Sequence, residues 1–376
     1  MRAFMRKWFP TAEDYPEGRL FSLDLLRGLD MLLLTVIAPL VCAAQHTFGC
    51  FPESVMRQLT HPWGGFTLYD IIMPLFIFMC GAAIPFALGR RLKAGKAVFW
   101  RHVIGRVVLL WVLGGCVQGN WLTLDPKTFS PFANTLQSIA IGYLATAAMM
   151  TVPCRWFQIV LPIALALVYT VAMGGDYSQF GNLAQRIDHA ILSALLPPEN
   201  PYVAQPSYYT WFLTSLMFAA MTMAGYHATN ILVASWEKRR KAVALFIYGG
   251  ALLAVGWAAT PWVPMIKQVF SLSFTAQAMG WSVLALAILY VVTDIWRIRR
   301  GTAVILLFGQ FALAAYLGKK LFGGVLLAFA NLAFGGVDRL LGNGGDNGLF
   351  LEVVVTIELI AVVAIWRHLK TCGRKD

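Results

Sequence analysis

The sequence predicts an all-α fold, a polytopic transmembrane helical bundle of about ten spans with both termini cytoplasmic. Composition is the first reason: 59% of the 376 residues are hydrophobic and only 13% are charged. The second is that apolar stretches of about twenty residues, long enough to cross a hydrocarbon core, recur from end to end. The third is that Lys and Arg crowd into alternate loops between those stretches, which sets orientation by the positive-inside rule. A transmembrane barrel would instead show segments of about ten residues with alternating polarity, a pattern the chain lacks.

In chain order the expected spans are 22–44, 67–89, 98–118, 132–151, 155–173, 208–228, 242–260, 269–292, 302–318 and 349–367. The segment LFGGVLLAFANLAFGG, 321–336, is short and bracketed by glycine pairs, so it reads as re-entrant or interfacial; it makes an eleventh span if it crosses. RRLKAGKAVFWR at 90–101, EKRRK at 237–241, WRIRR at 296–300, the tail WRHLKTCGRKD and the N-terminus are basic and belong on the cytoplasmic side. Loops 45–66, 119–131 and 174–207 carry few basic residues, which places His61 on the opposite side. The last of these is long enough to build a lid over a substrate. No composition break divides the chain, so it reads as one transmembrane domain, 1–376.

The net charge of +12 is spread as a topology signal between spans, which argues against a nucleic-acid partner. MRAFMRKWFPTAEDYPEGR is too charged to supply the apolar core of a cleaved signal peptide, so the first span is expected to remain as an anchor. The six cysteines show no paired metal spacing, and no metal is expected. Cys42 and Cys50 can pair if their side is oxidising.

Several polar residues need a reason to sit beside apolar runs. In LTHPWGGFTLYDIIMPLFIFMCG, 59–81, Thr67 and Asp70 fit a capping box, and Trp63 suits an interfacial anchor. The same stretch also admits chemistry, because a histidine exchanges a proton near neutral pH and a carboxylate can orient its ring. His61 and Asp70 are nine residues apart, with WGGF as a turn between them. In SLDLLRGLD, 22–30, Asp24, Arg27 and Asp30 share one side of a helix; Arg27 is either locally ion-paired or a receptor for an anion. Arg101 and Arg106 enter the third span similarly, and Arg106 lies deep enough to require a partner or a polar cavity. Gln137, Gln310, Thr210, Thr214 and Ser215 read as helix-to-helix hydrogen bonds lining a polar interior.

RLFSLDLLRGLDMLLL followed by HPWGGFTLYDIIMPLFIFMCG resembles the heparan-alpha-glucosaminide N-acetyltransferase family, membrane enzymes that carry acetyl groups from cytoplasmic acetyl-CoA to a sugar amine across the bilayer. The shared pattern is D-x-x-R-G in the first span, then H, W and G before D-x-x-x-P-x-F-x-F-x-x-G. NTLQSIAIGYL and GQFALAAY look like later family motifs, and GNLAQRIDHAIL resembles a loop in which an Asn and an Asp recur. A family asparagine is replaced near Ala38, a family arginine stands here as Ser138, and the large luminal domain of the animal enzyme is missing. The resemblance therefore points to a bacterial branch in the inner membrane.

The resemblance implies that His61 is catalytic, as base or acetyl relay, with Asp70 orienting it. It further implies acetyl-CoA as donor, a saccharide acceptor and a homodimer among membrane lipid; Arg27, Arg101, Arg106 and Gln137 are the candidate donor contacts, and Trp63 and Asp188 the candidate acceptor contacts. Guanidinium groups at the cytoplasmic mouth suit the donor's phosphates. The alternatives are a transporter of a saccharide or acidic metabolite that makes no bond, and a scaffold protein. No internal repeat is evident, which disfavours the repeat-built transporters.

Overall fold

The computed structural model describes residues 8–10, 15, 19–205, 208–340 and 348–372. The basic N-terminal segment before the first span and the last basic residues of the tail lie largely outside these. Among the described residues the regular structure is all helical, without a strand. In chain order the principal helices are α1 (Phe21–Phe48), α2 (Leu68–Ala94), α3 (Lys96–Gln118), α4 (Thr135–Met150), α5 (Arg155–Met173), α6 (Leu183–Leu195), α7 (Ser215–Val233), α8 (Lys238–Ala259), α9 (Leu272–Ile295), α10 (Ala303–Gln310), α11 (Ala312–Leu340) and α12 (Leu349–Cys372). Among the described residues nine of these are long and apolar enough to cross a membrane; α4 is apolar but shorter, and α6 and α10 are not spans. The protein is a multi-pass helical membrane bundle.

The chain forms two compact units, one of residues 1–60 with 288–376 and the other of 61–287. In the first, α1 and α10 touch backbone to backbone: a Cβ on Gly28 would lie 1.9 Å from the Ile305 carbonyl, and one on Gly309 1.8 Å from that of Asp24. Phe21, Leu25 and Leu306 fill the core beside this contact. α1 carries a π-helical turn at Leu33–Ile37 and ends at Gly49, whose φ of 59° suits a residue without Cβ.

The ninth span departs from expectation. Residues 302–318 do not form one helix, because α10 is only eight residues long and breaks at Phe311. The helix long and apolar enough to cross is instead Ala312–Val337, and 321–336 continues it rather than forming a separate short segment. The reason is backbone satisfaction: without water to bond, an apolar chain keeps its N–H and C=O groups paired by staying helical, and this outweighs the glycine pairs' weak helix propensity. Lys319 and Glu352 join α11 to α12 at 2.6 Å.

In the second unit α7 is the central helix, with 72% of its apolar window buried. It is approached so closely that only glycine fits at three crossings. A Cβ on Gly81 of α2 would lie 1.8 Å from the Thr222 carbonyl, one on Gly225 of α7 1.9 Å from that of Phe78, and one on Gly142 of α4 2.0 Å from Thr222 Oγ1. α7 begins at Ser215, so 208–214, expected inside a span, form a turn before it. The 174–207 loop contains the amphipathic helix α6, which buries Ala184, Gln185, Asp188 and Leu192 on one face.

Because a backbone carbonyl cannot rotate away as a side chain can, Gly81→Ala and Gly225→Ala should each destabilise the second unit by about 1–3 kcal/mol or more. Gly250→Ala on α8, where an added Cβ meets nothing within 4 Å, should leave stability unchanged or slightly raised. Thermal unfolding of the detergent-solubilised variants measures the difference; equal melting of all three would refute tight crossings at Gly81 and Gly225.

Candidate active site

The site is built on the N-terminus of α2. Thr67 caps this helix, and the capping box forms as expected: the Thr67 N–H donates to Asp70 Oδ2 at 3.0 Å. That bond fixes the carboxylate plane and leaves Oδ1 directed at His61, whose Nδ1 lies 2.6 Å away. An ionised carboxylate only accepts, so Nδ1 carries the proton of this bond, and in the neutral ring Nε2 is the nitrogen with the lone pair. His61 is accessible, with its side chain 32% exposed, whereas that of Asp70 is 1% exposed. The imidazole stacks on Tyr69 with centroids 5.1 Å apart.

A residue that sequence reasoning missed completes the group. Lys267 arrives from the turn before α9, and its side chain is 5% exposed. Nζ lies 3.4 Å from Asp70 Oδ1 and 3.0 and 3.1 Å from His61 Nδ1 and Nε2. One donor cannot align with two in-plane ring positions that point apart, so the lysine stands over the imidazole face. Burial pulls the Lys267 amine down to about 8, with the Asp70 charge opposing that fall.

The turn carrying Lys267 is stiff. Phe270 adopts φ of 46°, unusual for a side chain of that size. It is held there by burial against Phe218 and Phe274 and by the bond of its N–H to the Lys267 carbonyl at 2.9 Å. The same turn clamps the histidine loop: Gln268 Nε2 donates to the carbonyls of His61 and Pro62 at 3.3 and 3.2 Å, and the Gly65 N–H donates to the Met265 carbonyl at 2.9 Å. Gly65 has φ of 104°, which a side chain would resist. A lone lysine in VPMIKQVF, in a short loop between apolar spans, was the only sequence signal for this element.

The other expected site residues divide. Trp63 is half-buried 6.5 Å from the ring of Tyr208, which in turn meets Phe180, so an aromatic row borders His61. Asp188 lines a small cleft with Gln185, His189, Leu192, Tyr202, Tyr209 and Trp211. Its carboxylate, expected to bind acceptor, accepts from the backbone N–H groups of Trp211 and Phe212 at 2.6 and 3.1 Å, which fixes the turn before α7. Burial pushes Asp188 up to about 7 against the pull of those two donors. Tyr209, from the same turn, is pushed up to about 12 by burial and by the charge of Asp70.

Gln137 is likewise engaged within the fold. It is fully buried, its Oε1 accepts from the Ala133 N–H at 2.9 Å, and its Nε2 donates to the carbonyls of Pro131 and Trp111 at 2.9 and 3.5 Å. These bonds hold the entrance of α4 and give Gln137 a structural task. Arg106 finds the partner its depth requires in Tyr143, with Cζ 5.0 Å from the ring centre. Arg101 is exposed on the same helix. Arg27, in the first unit, pairs with Asp24 at 3.2 Å, whereas Asp30 is buried with neither oxygen hydrogen-bonded among the described residues.

No family model matches the chain. No curated protein matches it either.

The lysine makes stability depend on pH. Its folded value near 8 lies below the ordinary 10.5, so between these the unfolded chain holds more protons at this position and stability rises with pH. Relative to Lys267→Met, the wild type should gain about 3 kcal/mol across that window, read as a rising melting temperature in detergent. A difference that stays flat from pH 8 to 10.5 would show that no buried ammonium is being relieved.

Proposed function

We propose that this protein is an integral-membrane acetyltransferase that moves an acetyl group from acetyl-CoA to an amino sugar or other saccharide, with His61 as the base. The observation that carries the reading is the 2.6 Å bond between Asp70 Oδ1 and His61 Nδ1, which leaves Nε2 as the basic nitrogen of an accessible imidazole. The resemblance of 19–90 to the heparan-alpha-glucosaminide N-acetyltransferase family supports the same chemistry. In the reaction an acceptor amine or hydroxyl attacks the thioester carbon while Nε2 takes its proton. The C–S bond then breaks, and the imidazolium returns that proton to the departing thiolate. Asp70 holds the ring and balances its charge while the proton is on it.

The distribution of basic loops supports a non-cytoplasmic position for His61, and in this reading the membrane is a bacterial inner membrane with the donor entering from the cytoplasm. Arg101 and Arg106, on α3, offer guanidinium groups to its phosphates. The aromatic row of Trp63, Tyr208 and Phe180 offers ring faces to a sugar. The buried charge cluster of Lys267, Asp70 and His61 also favours one rival: carriage of a saccharide or acidic metabolite in step with a proton.

The test is transfer of radiolabel from acetyl-CoA to amino sugars by purified protein in proteoliposomes. His61→Ala should lower transfer by about 10²–10⁴-fold, and Asp70→Asn should do so less severely, since it misorients the ring without removing it. Transfer that survives His61→Ala removes His61 from the chemistry. Flux of unmodified sugar without CoA, with no label transferred, replaces the enzyme with the carrier.

A further inference from the structure

Asp70 is one carboxylate facing two cation-forming groups. Its Oδ2 is bonded to the Thr67 N–H, so Oδ1 alone meets both His61 Nδ1 at 2.6 Å and Lys267 Nζ at 3.4 Å. Lys267 is buried, and among the described residues its polar side-chain partners are His61 and Asp70. The groups around it that titrate are His61 from the preceding loop, Tyr69 and Asp70 from the first turn of α2, and Tyr209 from the turn before α7. Its own turn adds only the neutral Gln268. One buried carboxylate balances one positive charge beside it, not two.

We propose that Lys267 is a positioning residue that competes with His61 for Asp70 Oδ1, so that His61 accepts a proton only when Lys267 is an uncharged amine. As an ammonium 3.0 Å from the imidazole, it opposes a second cation there and draws the carboxylate to itself. As an amine, it leaves Oδ1 to the Nδ1–H and the imidazolium forms beside a single counter-charge. The depressed lysine value, about 8, puts this exchange within reach of ordinary pH. No covalent step on the lysine is involved, since acylation of its amine would give a stable amide.

This inference rests on His61 being the base, and the experiment separates the two claims. Acetyl transfer by the full chain in proteoliposomes should rise with pH on the acid side and level off above an inflection near 8. In Lys267→Met the inflection should vanish, with transfer at pH 6–7 equal to or above wild type. In Lys267→Arg transfer should fall at least tenfold and not recover at high pH, because a guanidinium keeps its charge. An arginine variant that follows the wild-type profile, or a methionine variant that keeps the inflection, overturns the proposal.

The second readout needs no acyl transfer. Trace labelling of purified protein with radioactive acetic anhydride across pH, followed by peptide analysis, titrates the Lys267 amine directly. Half-labelling should fall near pH 8 and move lower in Asp70→Asn, since the carboxylate opposes the depression. An ordinary lysine titration, or one indifferent to Asp70, overturns the proposal. Low titration that responds to Asp70, in protein that transfers no acetyl group, upholds the contest for Oδ1 and discards the acetyltransferase.

Discussion

The candidate site depends on the way one buried carboxylate divides its two oxygens. Asp70 has almost no contact with solvent, so its lone pairs must be met by protein groups. Oδ2 meets the N–H of Thr67 and thereby starts α2; Oδ1 meets His61 and Lys267. The helix cap and the histidine partner are therefore one constraint. Rotating the carboxylate to serve one would abandon the other, so the position where the helix begins also sets the direction of the imidazole.

That carboxylate is useful only if the parts around it hold still. α2 is locked to α7 by crossings in which backbone lies against backbone at Gly81 and Gly225, leaving no room for sliding. The turn before α7 is pinned by Asp188 to the N–H groups of Trp211 and Phe212. The strained turn before α9 is pinned by the burial of Phe270, and through Gln268 and Met265 it grips the loop that carries His61. Loops thus present the functional groups, but each is fastened to a rigid helix end, the arrangement that holds a reacting geometry within narrow limits.

Much of this was legible in the chain because it is local. Spans announce themselves by the length of apolar runs, and a capping box by a hydroxyl and an acid three residues apart. The pairing of His61 with Asp70 was accessible for a similar reason, since a glycine turn across nine residues can close. The backbone partners of Gln137 and Asp188 were not legible, because a polar side chain beside an apolar run looks alike whether it meets a ligand or a backbone group. The boundary at Phe311 was missed because α10 and α11 are both apolar, and hydropathy does not register a change of axis.

The sequence by itself determined the class of fold, the approximate spans, the cap at Thr67 and the histidine worth examining, all properties of residues within about two dozen positions of one another. Only the tertiary structure could bring Lys267 to His61 across 206 residues, spend the amide of Gln137 on α4, and set glycine against carbonyl between α2 and α7. The physical reason is that burial decides these roles. A lysine, an amide or a carboxylate has the same covalent chemistry anywhere in the chain, and it acquires a partner, a displaced proton affinity or a purely structural task only when the fold removes it from water.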